Sequence, residues 1–274
     1  MGIFDGWALI SDLDGTMVDE NWDIPKGNAE AVRYFEENGG KFIMATGRSV
    51  AKALLLAKKL GCNYPSVVYN GAAIYDFKKE EFLMTSTYHK AHVADYFEKL
   101  HAVFPESGMF VHGRTGNWVP FDTAAVTYYA VREQLPFERV PIEKTEDEWF
   151  KVLLIADEEL TGEIFEYCQK GVPEGLRVTR SGKHYCEFLT ESSNKFSASS
   201  VILEMLGVPL DKSCGIGDYY NDIELITKTA IGACPADSPE AVKAVSPLVV
   251  APCGEGAVAD FVNKIEEMIS KNGI

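Results

Sequence analysis

The chain has 274 residues, enough for one large domain or two modest ones at roughly 150 residues each. Its 46% hydrophobic, 24% charged and 11% aromatic residues exclude a disordered chain, a collagen or a disulfide scaffold. Forty-one acidic against twenty-six basic residues leave a net charge of −15 with no Lys/Arg cluster, which argues against nucleic acid or an acidic membrane as partner.

The apolar run from Trp7 to Ile10 ends in Ser11-Asp12-Leu13-Asp14-Gly15-Thr16, so a buried strand is expected to stop where two carboxylates and a turn begin. A helix follows, with Pro25 in its first turn and Ala29, Val32 and Phe35 on one face, until Asn38-Gly39-Gly40 stops it. The second strand, Phe42 to Ala45, runs into Thr46-Gly47-Arg48. After it Val50, Ala53, Leu54, Ala57 and Leu60 recur at helical spacing up to Gly61. A third strand, Ser66 to Tyr69, leads into Asn70-Gly71. This βαβαβ order with polar strand exits predicts a parallel sheet with a ligand crevice beyond its carboxyl edge.

Between about Phe82 and Thr190 aromatic residues become denser. Strand-like pieces (Met109 to His112, Lys151 to Ile155, Tyr185 to Leu189) alternate there with amphipathic segments, the texture of an inserted α+β domain. Trp118, Phe121, Tyr128 and Tyr129 read as core of that insertion. The first texture returns with a helix from about Asn194 to Leu206, closed by Gly207. A strand Cys214 to Gly217 then exits into Asp218-Tyr219-Tyr220-Asn221-Asp222. Ala230 to Ala233 and Leu248 to Ala251 supply two short strands, and Val258, Phe261, Val262, Ile265 and Ile269 a closing amphipathic helix.

Two acidic clusters thus fall at two strand ends of one sheet. Asp12 and Asp14 suit acid/base work or a hard cation, although an Asp-Gly turn alone is common. Asp218, Asn221 and Asp222 offer three oxygen-bearing side chains within five residues, with helix capping as the bland reading of the last two. Magnesium favours a few carboxylates, waters and a phosphate oxygen, so the pair of clusters implies a phosphorylated ligand. Thr46-Gly47-Arg48 brings a hydroxyl, close backbone approach and the first amides of a helix, and Lys195 a cation. Such cations are required: like charges ~4 Å apart repel by about 4 kcal/mol at an effective dielectric of 20. His89 and His92 have i,i+3 spacing without a nearby third ligand, which argues against zinc. The six cysteines form no CxxC pair and read as buried free thiols. With no membrane-length apolar run and no signal-peptide pattern, a cytoplasmic location is expected.

Asp12-Leu13-Asp14-Gly15-Thr16, Thr46-Gly47-Arg48, Asn70-Gly71, Lys195 and Gly217-Asp218-Tyr219-Tyr220-Asn221-Asp222, in this order, resemble the haloacid dehalogenase superfamily, specifically its Cof-type phosphatases. The resemblance implies an α/β fold: a Rossmann-like core over 1–82 and 190–274, with an α+β cap inserted over 83–189 that sets substrate specificity. It implies Asp12 as nucleophile forming an aspartyl-phosphate, and Asp14 as the acid that protonates the leaving alkoxide and then activates water. It implies Mg²⁺ on Asp12, the backbone carbonyl of Asp14 and Asp218, supported by Asp222 and Asn221. Thr46, Gly47 and Lys195 would grip the phosphoryl, while Arg48, Asn70 and Gly71 line the substrate side. The chain departs from the family pattern in two places: Phe196 follows Lys195 where Gly is usual, and Ala233-Cys234-Pro235-Ala236 replaces a Gly-Asn-Ala segment. The implied activity is hydrolysis of a small phosphorylated metabolite such as a sugar phosphate. A phosphomannomutase-like transfer between sugar positions and a non-catalytic phosphometabolite sensor are the alternatives.

Overall fold

The computed structural model describes residues 2–272. In chain order its elements are β1 (Ala8–Ser11), α1 (Asn28–Glu37), β2 (Lys41–Met44), α2 (Val50–Leu60), β3 (Ser66–Val68), β4 (Ala73–Asp76), β5 (Glu81–Thr85), β6 (Tyr88–His89) and α3 (Lys90–Val103). They continue as β7 (Gly108–Gly113), β8 (Asn117–Phe121), α4 (Ala124–Arg132), β9 (Glu148–Ile155), α5 (Glu158–Cys168), β10 (Leu176–Gly182), β11 (Tyr185–Thr190) and α6 (Lys195–Met205). The last are β12 (Ser213–Ile216), α7 (Ile223–Lys228), β13 (Ile231–Pro235), α8 (Glu240–Lys243), β14 (Leu248–Val250) and α9 (Ala257–Asn272). Two units result, one of Met1–Met84 with Asn194–Ile274, the other of Thr85–Ser193.

The first unit is built on a five-stranded sheet in the order β14-β13-β12-β1-β2, every adjacent pair parallel. Parallel neighbours need crossovers, and these place helices on both faces. Side chains alternate accordingly. Leu9, Phe42, Met44 and Ile216 meet Phe35 of α1 and Phe261 of α9, while Ala8, Ile10 and Ile43 meet Ala198, Ile202 and Leu203 of α6. Burial on both faces is why these strands read as unbroken apolar runs. The α/β architecture expected from the sequence is the one observed.

Two details differ from expectation. Helix α1 opens at Asn28 behind Gly27, because the amide of Asn28 bonds the Pro25 carbonyl at 3.2 Å in a separate turn. β3 does not extend the parallel sheet; it lies in a three-stranded sheet with β4 and β5 and runs antiparallel to β4. A single parallel bridge, Ala45 to Val67, links it to the end of β2. The Thr46 amide also donates to the Val67 carbonyl at 3.0 Å, and the left-handed Tyr69 and Asn70 follow.

The second unit is a six-stranded sheet, β10-β11-β9-β7-β8 with β6 beside β9, antiparallel throughout. One face carries Trp149, Val152, Leu154 and Phe188 against Phe97 of α3 and Ile164 of α5. The other carries Phe110, Leu153 and Ile155 against Val126 and Ala130 of α4. Lys151 and Glu187 form a buried ion pair at 3.0 Å. Trp118, Phe121 and Tyr129 pack into this unit's core as expected. Tyr128 does not: at 67% exposure it lies on the outer side of α4 with Val131. Among the described residues no helix is long and apolar enough to cross a membrane.

Candidate active site

The ladder between β1 and β12 reaches one residue past β1, where the amide of Asp12 donates to the Ile216 carbonyl at 2.9 Å. This fixes the backbone from which the Asp12 side chain, 5% exposed, projects. The chain then reverses tightly, with the amides of Met17 and Val18 both donating to the Leu13 carbonyl at 2.8 and 2.9 Å. Gly15 has φ +74°, and any side chain there would run into the Asp218 carboxylate. Glycine therefore allows both the turn and the approach of the two strand exits. Asp14 faces Arg48, whose Nε donates to Oδ2 at 2.7 Å while Nη2 engages Oδ1.

Helix α6 delivers the cation. Asn194 is its N-cap, accepting from the Ser197 amide at 2.7 Å, and Lys195 is its first residue. The Lys195 side chain is buried, with Nζ 2.6 Å from Asp12 Oδ1 and 2.7 Å from Asp222 Oδ1. Phe196, where the family pattern has Gly, packs against the Ala8/Ile10 cluster, which leaves Lys195 aimed at the carboxylates. The atypical Ala233–Ala236 stretch is mostly strand: β13 pairs with β14 as far as Pro235. Asp237 just beyond it accepts from the Cys253 amide at 3.1 Å.

Asp222 is fully buried and uses both oxygens. Oδ1 takes Lys195, and Oδ2 accepts the amides of Asp218 and Tyr219 at 3.2 and 3.3 Å. It thereby performs the capping role and joins the cluster at once. Asp12, Asp218 and Asp222 each offer an oxygen, all within 4.8 Å of one another. Burial, then the Asp222 charge, pushes the Asp12 carboxyl up to about 7 even though Lys195 opposes the shift. Burial, then Asp12, holds Asp218 well above the usual carboxylate range. Burial works to discharge Lys195, but Asp12 and Asp222 outweigh it and raise its affinity for the proton. Fully ionised, the three carboxylates would carry more negative charge than one lysine balances, which, on top of burial, is why Asp12 and Asp218 hold their protons so firmly. Beside it the buried Asn221 Oδ1 has no hydrogen-bond partner. Hard oxygen donors with excess negative charge and a spare carbonyl oxygen fit a hard divalent cation.

The remaining candidates lie on loops laced to one another. Thr46 Oγ1 accepts from the Arg48 amide at 3.1 Å, a local turn rather than a helix cap. Helix α2 opens only at Val50, behind Ser49, so the amides at Gly47 and Arg48 belong to the loop and not, as expected, to the first helical turn. The amides of Tyr69 and Asn70 donate to the carbonyls of Arg48 and Thr46, both at 3.0 Å. Tyr69, Asn70 and Gly71 are consecutively left-handed, with φ of +52°, +54° and +95°. A side chain at Gly71 would meet the Asn194 backbone. Asn221 Nδ2 donates to Asn70 Oδ1 at 3.0 Å, and Asn70 lies against Gly47.

Trp22 escaped sequence reasoning. It sits in the loop after the first acidic motif with Arg48 Cζ 4.1 Å and Lys52 Nζ 4.0 Å from its ring centroid. The available signal was a lone tryptophan inside the polar stretch Asp19 to Asp23. His89 and His92 belong to no metal-capable group among the described residues. A pocket of about 270 Å³ in the same unit, lined by Leu54, Ala57, Lys58, Cys62 and Phe77 among others, includes none of the site's carboxylates.

The chain resembles known phosphatases over most of its length. The chain is 26% identical over 235 residues to the 5-amino-6-(5-phospho-D-ribitylamino)uracil phosphatase YcsE of Bacillus subtilis, covering 85% of this chain and 84% of that one. It is 22% identical over 241 residues to the glucosyl-3-phosphoglycerate/mannosyl-3-phosphoglycerate phosphatase of Persephonella marina, covering 82% of each. The solved structure of the subclass IIB sugar phosphatase BT4131 superposes with a TM-score of 0.82 at 20% identity, over 94% of this chain and 98% of that one. A sequence profile of the haloacid dehalogenase-like hydrolases matches residues 9–262, and the chain belongs to that family.

Proposed function

We propose that the protein is a Mg²⁺-dependent phosphomonoesterase acting on a small phosphorylated metabolite, a sugar phosphate by preference, through an aspartyl-phosphate on Asp12. The observation that carries this reading is the convergence of Asp12, Asp218 and Asp222 at the exits of β1 and β12, with Lys195 bonded to Asp12 and Asp222. Phosphatase names among the relatives support it.

In this reading a carboxylate oxygen of Asp12 attacks phosphorus and the P–O bond to the leaving group breaks. Asp14 gives its proton to the departing alkoxide. It then takes a proton from the water that cleaves the acyl phosphate, restoring Asp12 and releasing inorganic phosphate. Lys195, the Thr46 hydroxyl and the Gly47 amide hold the phosphoryl oxygens and keep phosphorus in line. Arg48, Asn70, Gly71 and Asn221 border the substrate. Mg²⁺, when bound by Asp12, Asp218, the Asp14 carbonyl and the supporting Asp222, supplies positive charge that lets an anion approach an anion. The Thr85–Ser193 unit serves as the cap that selects the leaving group. Six buried free thiols support a reducing, cytoplasmic setting.

The test is phosphate release across a panel of sugar phosphates, nucleotides and other phosphorylated metabolites, with and without Mg²⁺. We expect metal-dependent release that Asp12→Asn reduces to background. Undiminished release by Asp12→Asn overturns the mechanism, and an isomerised sugar phosphate in place of free phosphate assigns phosphoryl transfer instead.

A further inference from the structure

Trp22 occupies a backbone conformation that a tryptophan ordinarily avoids. Its φ is +66°, in the left-handed region where glycine and asparagine are at ease and bulky residues are outliers. The loop around it is closed on Asp19, whose Oδ1 accepts the amides of Asn21 and Asp23 at 2.9 and 3.0 Å. Two backbone bonds repeat the closure: Trp22 to the Asp19 carbonyl and Asp19 to the Asp23 carbonyl, both 3.0 Å. Such strain persists where the side chain does something that the backbone alone does not require.

What the side chain does is visible in its neighbours. The Arg48 guanidinium and the Lys52 ammonium lie over the indole, a geometry in which the ring quadrupole attracts both cations. The same guanidinium meets both oxygens of Asp14 through Nε and Nη2. The Arg48 side chain is 7% exposed and that of Asp14 51% exposed, so the arginine is the fixed partner and the carboxylate the accessible one. The loop also grows out of the turn that carries Asp14, through the bridge between Asp14 and Val18.

We propose that Trp22 is a positioning residue for catalysis: its ring holds the Arg48 guanidinium against both oxygens of the Asp14 carboxylate, and so sets where that carboxylate stands. This rests on the phosphatase reading of the site. In this proposal Trp22 acts through Arg48.

Glycine separates this role from a merely structural one, because Trp22→Gly suits the left-handed backbone while removing the ring. We expect Trp22→Gly to melt close to the wild type, yet to lose kcat by about five- to thirtyfold with KM nearly unchanged, the range spanned by one partly buried cation–π contact. Trp22→Phe should recover most of the loss. In an Arg48→Met background Trp22→Gly should cost nothing more, since the partner through which it acts is gone. Wild-type kcat in Trp22→Gly overturns the inference, as does an equal further loss in the Arg48→Met background or a failure of Trp22→Phe to recover activity. A wild-type protein that releases no phosphate from any substrate defeats the phosphatase reading and this inference together, whereas an active wild type with an equally active Trp22→Gly defeats this inference alone.

Discussion

One lysine and one histidine show how burial and neighbouring charges together decide charge at single residues. Lys195 stays cationic because two carboxylates surround it, whereas His112, buried in β7, is held well below the usual histidine range by burial and then by the Lys151 charge. The groups facing His112 include Tyr129 of α4, whose hydroxyl lies 3.3 Å from Nε2, and Lys151 on β9. A histidine whose folded form resists the proton loses stability as pH falls, because the unfolded chain protonates first, near 6.5. We expect the melting temperature to drop below pH about 6.5, at a cost of about 1.4 kcal/mol for each further pH unit down to the folded value. His112→Asn should make that slope shallower, and an unchanged slope would assign it to other groups. At this scale the sequence marks residues that the fold brings together where a fixed residue type recurs at a fixed spacing, as at Asp12, Asp218 and Asp222. It was silent on Trp22, whose partners are settled by the path of a loop that no spacing rule describes.

Lys151 on β9 and Glu187 on β11 are buried together, and an ion pair removed from water is costly to break and of little net value to keep. Lys151→Met or Glu187→Leu alone should destabilise the protein by about 3–5 kcal/mol, while the two together should restore wild-type stability or exceed it. Chemical denaturation of the two single variants and the double variant checks this; additive losses would contradict it. The legibility of elements follows from burial pattern. β1, β2 and β12 are buried on both faces and read as apolar runs. β4 and β5 are short and only partly buried, so nothing in their sequence stands out. β3 was recognisable as a strand but not in its pairing, since Ser66-Val67-Val68 fits a parallel or an antiparallel neighbour equally well. Helix α2 begins later than Thr46-Gly47-Arg48 suggests, because the Thr46 hydroxyl, a good helix cap by type, serves its own turn instead.

For the molecule as a whole the governing quantity is charge. A net charge of −15 makes the carboxylate cluster an unfavourable place to concentrate further negative charge without a cation. A ligand that binds only the folded state at a hundred times its dissociation constant stabilises it by about 2.7 kcal/mol. Millimolar Mg²⁺ should therefore raise the melting temperature by a few degrees and a chelator should reverse the rise, with Asp218→Asn abolishing the response. A shift that survives in Asp218→Asn would place the binding elsewhere.

The six thiols are distributed in a useful way: Cys62, Cys214, Cys234 and Cys253 lie in one unit, Cys168 and Cys186 in the other, and all are buried. Burial pushes Cys62, Cys186 and Cys253 up to about 12, so none of these three presents a reactive thiolate at neutral pH while the fold is closed. An alkylating reagent consequently reports how often each half of the polypeptide opens, and the protein comes with its own clock for local unfolding, readable peptide by peptide without introducing a label.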